Sequence, residues 1–229
     1  MQAIILAGGL GTRLRSVVSN VAKPMAPIGD TPFLEYILKN LKKNKITNVV
    51  LSVGYQWKTI ESHFGSNFNG LDLKYSIEEE PLGTGGAIKK SIELISDDLF
   101  FIINGDTFFD LDLDQMMQNF QDNSQLMLSL KSMYEFDRYG CVEVDNRGYV
   151  TAFKGRRFRK SGYINGGIYL AKKSLFQNYN LPNKFSFEEF MEKNFHKIKA
   201  HAKVFDGYFI DIGVPDDLQK AQTELKGRV

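Results

Sequence analysis

The sequence has one cysteine, six prolines and no long apolar run in its 229 residues. The single Cys141 cannot form an internal disulfide, which favours a reducing compartment. Without a run of about 18 apolar residues no membrane-spanning helix is expected, and the apolar segment 3–7 is too short for the core of a signal peptide. A formal net charge of +2 is too small to favour a nucleic-acid partner. We therefore expect a cytoplasmic enzyme or binding protein that contacts neither membrane nor nucleic acid.

Strand-like and helix-like segments alternate along the first half of the chain. Short apolar runs predict strands at 3–7, 48–53, 73–78 and 99–104, and helical spacing predicts helices at 32–44, 57–64, 85–95 and 113–120. This order is typical of an α/β fold with a mixed, mostly parallel central sheet flanked by helices. Beyond about residue 125 strands dominate, with helices near 186–195 and from Pro215 onward. We expect a single domain over 1–229, with a first half of about 1–124 and a second half of about 125–229.

The segment "AIILAGGLGTRL" (3–14) carries glycines and cations directly after a predicted strand. Glycine lets backbone N–H groups approach a phosphate closely, so the segment predicts phosphate binding. The dinucleotide fingerprint is disfavoured because Leu14 stands where its third glycine belongs, and the Gly-Lys-Ser/Thr of a P-loop does not occur here. A tight turn that needs glycine only for its backbone would explain the glycines but not Arg13 and Lys23 beside them.

Nucleotidyl transfer is the remaining interpretation, and the motif "LAGGLGTRL…KPM" resembles the signature of the sugar-1-phosphate nucleotidylyltransferases. Further similar motifs follow in the family's order: "EEEPLGTGGAI" (78–88), "INGDTF" (103–108), "INGGIY" (164–169) and "GYFIDIGVPDD" (207–217). The resemblance covers essentially the whole chain. It implies a Rossmann-like nucleotidyltransferase fold, a nucleotide-binding first half and a sugar-phosphate-binding second half. The implied reaction joins a sugar 1-phosphate to a nucleoside triphosphate and releases pyrophosphate.

Two cations are the predicted catalytic residues. Negative charge accumulates on the α-phosphate and on the leaving pyrophosphate, so positioned cations lower the barrier. Arg13 can donate paired hydrogen bonds to the β- and γ-phosphate oxygens, and Lys23 is a compact charge suited to the α-phosphate.

The predicted nucleotide-binding residues come from the glycine turn and from the segment 78–88. They are Leu6, Ala7, Gly8, Gly9, Gly11, Thr12, Glu80, Gly83 and Thr84. The resemblance implies that Glu80 and Gly83 lie near the base. A carboxylate accepts hydrogen bonds from the N1–H and amino group of guanine but not from the oxygens of uracil or thymine, which favours GTP. Glu78 or Glu79 facing the base instead remains an alternative.

Asp106 follows the predicted strand 99–104 and a glycine, and Asp211 lies at the end of a predicted strand before a turn. The resemblance implies that this pair binds a metal ion. Mg²⁺ prefers carboxylate oxygens, with phosphates and water completing its shell, so Mg²⁺ is the expected cofactor. Asp110, Asp112 and Asp114 are nearer to Asp106 in sequence, but their spacing indicates the start of an exposed helix.

The sugar-phosphate site is the less defined part of the prediction. The resemblance implies that Asn165 and Gly166 contact sugar hydroxyls, although a β-bulge is the alternative explanation of "INGGIY". The family's Glu-Lys pair, whose lysine binds the sugar phosphate, is missing here. Lys154 or Arg156 is expected to take that role, and the sequence does not decide between them. The basic cluster at 156–160 fits either a solvated loop or a lid over the sugar phosphate.

The motifs "LRSVV", "KPMAPI" and "FSFEEF" are most similar to family members that use GTP and a heptose 1-phosphate. Mannose 1-phosphate or N-acetylmuramate 1-phosphate, with GTP or UTP, remains an alternative acceptor and donor pair. A regulatory subunit that binds a nucleotide sugar without catalysis is a second alternative. Retention of both cations and both aspartates argues against it. A homo-oligomer is possible.

Overall fold

The computed structural model describes residues 1–9 and 21–228, so the predicted site residues Gly11, Thr12 and Arg13 lie outside the described residues. The strands follow one another as β1 (Gln2–Leu6), β2 (Pro27–Ile28), β3 (Thr31–Pro32), β4 (Asn48–Val53), β5 (Asn67–Phe68), β6 (Leu71–Ile77), β7 (Leu99–Asn104), β8 (Thr107–Phe109), β9 (Leu126–Phe136), β10 (Cys141–Val144), β11 (Val150–Lys154), β12 (Arg159–Lys172), β13 (His201–Val204) and β14 (Phe209–Asp211). The helices are α1 (Phe33–Lys43), α2 (Trp57–Phe64), α3 (Gly83–Ser91), α4 (Leu113–Gln118), α5 (Ser174–Gln177), α6 (Phe187–Asn194) and α7 (Pro215–Glu224), with 3-10 turns at Lys23–Met25 and Ile92–Leu94.

Eight strands form the central sheet in the order β13-β9-β12-β7-β1-β4-β6-β5. The pairs β1–β4, β1–β7, β4–β6 and β9–β13 are parallel, whereas β12 runs antiparallel to both β7 and β9. The predicted mostly parallel α/β sheet is therefore confirmed. The second-half strands β13, β9 and β12 stand together in the sheet and meet the first-half strands where β12 pairs with β7.

Helices pack on both faces of the sheet, and the alternation of side chains along each strand divides the core in two. On β1, Ala3 and Ile5 join the core with α1, α2 and α7, while Ile4 joins the core with α3, α5 and α6. Strands buried on both faces read as continuous apolar runs, which is why "AIIL" and "LFFII" contain no polar residue. No helix within the described ranges has the length and apolar character needed to cross a membrane.

The N-caps of α1 and α4 are set by local contacts. Thr31 is not the N-cap of α1, because Thr31 and Pro32 pair with β2 and the extended Pro32 occupies the cap position. In α4 the cap is Asp112, whose carboxylate accepts a hydrogen bond from the Gln115 N–H at 3.0 Å, rather than Asp114. Asp110 and Asp114 form exposed ion pairs with Lys43 and Lys45. The expectation that this aspartate run begins an exposed helix holds.

Candidate active site

A cavity of about 480 Å³ opens where β1 and β7 end, which is the edge at which parallel α/β sheets bind ligands. We call it the β1 cavity. Its lining comprises Leu6, Gly8, Gly9, Lys23, Pro24, Glu78, Pro81, Gly83, Thr84, Ala87, Asn104, Gly105, Asp106, Arg156 and Glu188.

Close backbone contacts shape this cavity. The Gly105 N–H donates to the Leu6 carbonyl at 3.0 Å, and a Cβ on Gly105 would lie 2.5 Å from that oxygen. Gly83 begins α3 with a φ of +71°, and a Cβ there would lie 2.6 Å from the Phe185 carbonyl oxygen. Both positions therefore require glycine for the backbone to approach its neighbour. Ala7 is buried and does not line the cavity, because its N–H is tied to the Ser52 carbonyl at 2.7 Å.

Lys23 and Asp106 form an ion pair at the floor of the β1 cavity, with 2.5 Å between Nζ and Oδ2. The 3-10 turn at Lys23–Met25 holds the lysine, whose side chain is only 11% exposed, while that of Asp106 is 36% exposed. A charge-assisted contact of this kind fixes the ammonium at one position. The Lys23 ammonium group and the Asp106 carboxylate therefore both face the β1 cavity.

Strand β14 brings Asp211 close to Asp106. It pairs with β8 so that Asp211 lies opposite Thr107, the residue after Asp106, and the Ile212 N–H donates to the Asp106 carbonyl at 3.0 Å. Burial raises the pKa of Asp211 and the neighbouring charge of Asp106 raises it further, while Lys23 opposes both. Two carboxylates from distant parts of the chain therefore share one electrostatic environment.

These two carboxylates fit a hard divalent cation. Mg²⁺ commonly takes one or two protein carboxylates and completes its shell with substrate phosphates and water. The repulsion that raises the pKa of Asp211 is what a cation near both groups would relieve. Among the described residues no group of three or more His, Cys, Asp or Glu side chains offers a self-sufficient metal site.

A second cavity, of about 350 Å³, adjoins the first beneath β12 and α6, and we call it the β12 cavity. Four residues line both cavities and so mark their boundary: Asn104, Asp106, Arg156 and Glu188. The remaining lining of the β12 cavity is Thr107, Tyr139, Gly140, Cys141, Val142, Phe153, Lys154, Gly155, Asn165, Gly167, Tyr169, Met191, Glu192, Phe209 and Asp211.

The two candidate cations of the second half both reach the β12 cavity. Lys154 forms an ion pair with Glu143 at 3.5 Å, whereas Arg156 is exposed and has no ion-pair partner among the described residues. Only Arg156 also lines the β1 cavity. Position and available charge therefore favour Arg156 over Lys154 as the cation between the two cavities.

The motif "INGGIY" forms a β-bulge, the alternative to a sugar contact that the sequence left open. The pairing of β12 with β9 shifts register between Asn165 and Tyr169, and Gly167 has a φ of +74°. Asn165 lines the β12 cavity, where its Nδ2 donates to the Tyr169 hydroxyl at 2.6 Å. Gly166 lines neither cavity, because the space beside its Cα is filled by the Phe109 ring and the Ser129 hydroxyl.

The structure brings a different glutamate from Glu80 to the β1 cavity. Glu80 is exposed and does not line it, whereas Glu78 does. The Glu78 carboxylate accepts hydrogen bonds from the Leu82 N–H at 3.0 Å and the Ser52 hydroxyl at 3.2 Å. Three consecutive glutamates gave no sequence signal to choose among them; the direction of each side chain is set by the end of β6.

Two further residues were missed entirely. Tyr139 lines the β12 cavity, packs edge-on against Phe209, and has its pKa raised by burial and by the charge of Asp211. Glu188, in the first turn of α6, hydrogen-bonds to Thr84 at 2.5 Å and lies at the cavity boundary. An acidic residue in a first helical turn is so common that sequence alone could not single it out.

Comparison with known proteins agrees with this geometry. The family model described as "Nucleotidyl transferase" matches residues 2–227. The D-glycero-alpha-D-manno-heptose 1-phosphate guanylyltransferase of Campylobacter jejuni is 52% identical over 95% of this chain and 96% of its own length. The enzyme of the same name from Aneurinibacillus thermoaerophilus is 50% identical over 99% of both. The crystal structure of HddC from Yersinia pseudotuberculosis complexed with GMP-PN superposes with a TM-score of 0.86 at 35% identity, covering 98% of this chain and 99% of that one.

Proposed function

Because this chain belongs to the Nucleotidyl transferase family, we propose that it transfers GMP from GTP to D-glycero-α-D-manno-heptose 1-phosphate, with Mg²⁺ as cofactor. The products are GDP-heptose and pyrophosphate. Guanylyltransferases of this name at 52% and 50% identity over nearly their full lengths support the choice of substrates. We further propose that residues 1–229 act as one domain, in the cytoplasm, and supply an activated heptose for bacterial surface polysaccharide, lipopolysaccharide or capsule.

One observation carries the mechanism: Lys23 lines the β1 cavity and is ion-paired with Asp106, which lines both the β1 and the β12 cavity. A nucleotide in the β1 cavity and a sugar phosphate in the β12 cavity would present their phosphates to each other at this boundary. Holding two polyanions in this orientation requires fixed positive charge, which Lys23 supplies on the nucleotide side and Arg156 on the sugar side.

The reaction is one substitution at phosphorus. A phosphate oxygen of the sugar 1-phosphate forms a bond to the α-phosphorus of GTP, and the bond from that phosphorus to the β-phosphate oxygen breaks. Lys23 stabilises the charge on the α-phosphate, and Arg156 orients the attacking phosphate. Asp106 and Asp211 would hold Mg²⁺, which neutralises phosphate charge when bound. We assign Glu78, rather than Glu80, to the base side, because Glu78 lines the β1 cavity and Glu80 does not.

Pyrophosphate release tests this function directly. The protein is assayed with Mg²⁺, each of GTP, ATP, CTP, UTP and dTTP, and each of D-glycero-α-D-manno-heptose 1-phosphate, mannose 1-phosphate and glucose 1-phosphate. Turnover confined to GTP with the heptose phosphate is expected. Turnover with a different pair would retain the chemistry and reject the substrates. Binding of nucleotide without turnover of any pair would reject catalysis and favour a regulatory subunit.

A further inference from the structure

The geometry points to Glu188 as the residue that recognises a hydroxyl group of the acceptor sugar, with Thr84 as the residue that positions it. Of the four residues that line both cavities, Asp106 and Arg156 have roles in the proposed reaction and Asn104 and Glu188 have none; Glu188 is the charged one of these two. The inference rests on the proposed function, since it concerns the acceptor of that reaction.

A hydrogen-bond network fixes one oxygen of this carboxylate. The hydroxyls of Thr84 and Ser186 both donate to Glu188 Oε2, at 2.5 and 2.9 Å. The Thr84 hydroxyl in turn accepts from the Phe187 N–H at 2.9 Å. No described residue hydrogen-bonds to Oε1, so this oxygen is the acceptor available to a ligand. The carboxylate is thus oriented before substrate arrives, which reduces the entropy lost on binding.

The face of α6 decides which substrate the carboxylate meets. Glu188, Met191 and Glu192 are spaced i, i+3 and i+4, lie on one side of the helix and all line the β12 cavity. Only Glu188 of the three reaches the β1 cavity. The helix therefore presents its side chains to the acceptor rather than to the nucleotide.

The charge of Glu188 indicates what kind of group it contacts. A carboxylate repels phosphate oxygens but accepts a hydrogen bond from a sugar hydroxyl. Its neighbour Tyr169 is buried, and this burial, followed by the charge of Glu188, raises the pKa of its hydroxyl. The Tyr169 hydroxyl accepts a hydrogen bond from Asn165 Nδ2 at 2.6 Å. Glu188, Tyr169 and Asn165 therefore line one side of the β12 cavity with neutral polar groups and a hydrogen-bond acceptor. Such a lining suits hydroxyls and not the phosphate, which Arg156 faces.

Two variants with matched controls test the assignment. Glu188→Gln should raise the KM for the sugar 1-phosphate about 10- to 100-fold, the usual loss for a hydrogen bond to a charged group, and leave the KM for GTP unchanged. Thr84→Val should give a smaller increase in the same constant, and Thr84→Ser, which keeps the hydroxyl, should restore it. Glu189→Gln is the control, because Glu189 is exposed on the same helical turn and pairs with Lys193.

Monodeoxy sugar 1-phosphates identify the contacted hydroxyl. With the wild type, one deoxy analogue should show the same rise in KM that the full substrate shows with Glu188→Gln. With the variant, that analogue should show no further rise in KM. A rise in the KM for GTP alone would overturn the inference in favour of the nucleotide ribose. The inference would also be overturned if, for every analogue, the rise in KM from the missing hydroxyl simply added to the rise caused by Glu188→Gln.

The proposed function can fail without affecting this experiment. If the pyrophosphate assay finds a different nucleotide and sugar pair, the same variants and deoxy analogues are measured with that pair. If no pair is turned over, calorimetric titration of the wild type and Glu188→Gln with each sugar 1-phosphate replaces kinetics. Equal affinity of both proteins would then reject the role of Glu188 independently of catalysis.

Discussion

The β1 cavity and the β12 cavity adjoin each other but are built by different means. Backbone turns at strand ends form much of the β1 cavity, and Gly83 and Gly105 are held there against neighbouring carbonyl oxygens. Side chains form the β12 cavity, and they come from β10, β11, β12, α6 and β14. Lys23, which lines the β1 cavity, has a side chain that is only 11% exposed and is paired with Asp106, whereas Arg156 is exposed.

This difference indicates how each site achieves its selectivity. Phosphates are common to every nucleotide, so rigid backbone and a fixed lysine suffice to bind them. Sugars differ in the arrangement of hydroxyls, which requires side chains placed one by one. We therefore expect changes in the first cavity to affect turnover or folding and changes in the second to affect sugar affinity.

The largest effect on turnover is expected at the Lys23–Asp106 ion pair. Lys23→Met or Asp106→Asn should reduce kcat about 100- to 1000-fold, because each removes a fixed charge at the reacting phosphates. The measurement is pyrophosphate release at saturating substrates. Lys45→Ala, which removes a lysine–aspartate pair with 3.0 Å between Nζ and Oδ2 at the surface, is the matched control and should keep full activity. Less than a tenfold loss on removing Asp106 would contradict its assignment as a metal ligand.

Arg156→Ala should weaken the acceptor site alone. Loss of a charged donor to the sugar phosphate is expected to lower kcat/KM for the sugar 1-phosphate about 10- to 100-fold, with the KM for GTP unchanged. Lys154→Ala should have a smaller effect, because Lys154 is already paired with Glu143. Steady-state kinetics with each substrate varied in turn measures the effect of each variant. A larger loss of kcat/KM in Lys154→Ala than in Arg156→Ala would assign the sugar phosphate to Lys154.

Two glycines of the β1 cavity should separate folding from binding. Gly105→Ala should lower the free energy of unfolding by about 1–3 kcal/mol, since its Cβ would clash with the Leu6 carbonyl oxygen. Gly9→Ala should leave stability unchanged, because no described atom lies within 4 Å of the added Cβ, but should raise the KM for GTP. Urea unfolding and nucleotide titration give the two quantities. A stable Gly105→Ala protein would show that the turn can relax.

The two halves should also respond differently to acid. Burial lowers the pKa of His201, whose Nε2 donates to the Arg147 carbonyl in the second half, whereas His63 of the first half is exposed. The unfolded chain then binds a proton more readily, so stability should fall as pH decreases below about 6.5, until the lowered pKa is passed. The slope should not exceed about 1.4 kcal/mol per pH unit. Urea unfolding at several pH values checks this.

His201→Gln should flatten that dependence, and His196→Gln, at an exposed position, should not. An unchanged slope in His201→Gln would mean that another group causes the acid response.

The sequence by itself determined the sheet and the β1 cavity to a large extent. Strands β4 and β7 and helix α2 have the predicted bounds, because a buried apolar run and its flanking turn residues are local signals. Gly8, Gly9, Lys23 and Asp106, which were predicted from the glycine motif and the family resemblance, all line the β1 cavity, because each follows a strand or stands in a turn at this edge of the sheet.

Only the tertiary structure decided the boundary between the cavities. Glu78 rather than Glu80 lines the β1 cavity, because the direction of the chain after β6 determines which of three adjacent glutamates turns inward. The sequence left the choice between Lys154 and Arg156 open and did not indicate Glu188. Arg156 reaches the boundary from an exposed loop, and Glu188 reaches it from the first turn of α6. Contacts such as that between Thr84 and Glu188 join residues 104 positions apart, and their geometry depends on the packing of α3 against α6.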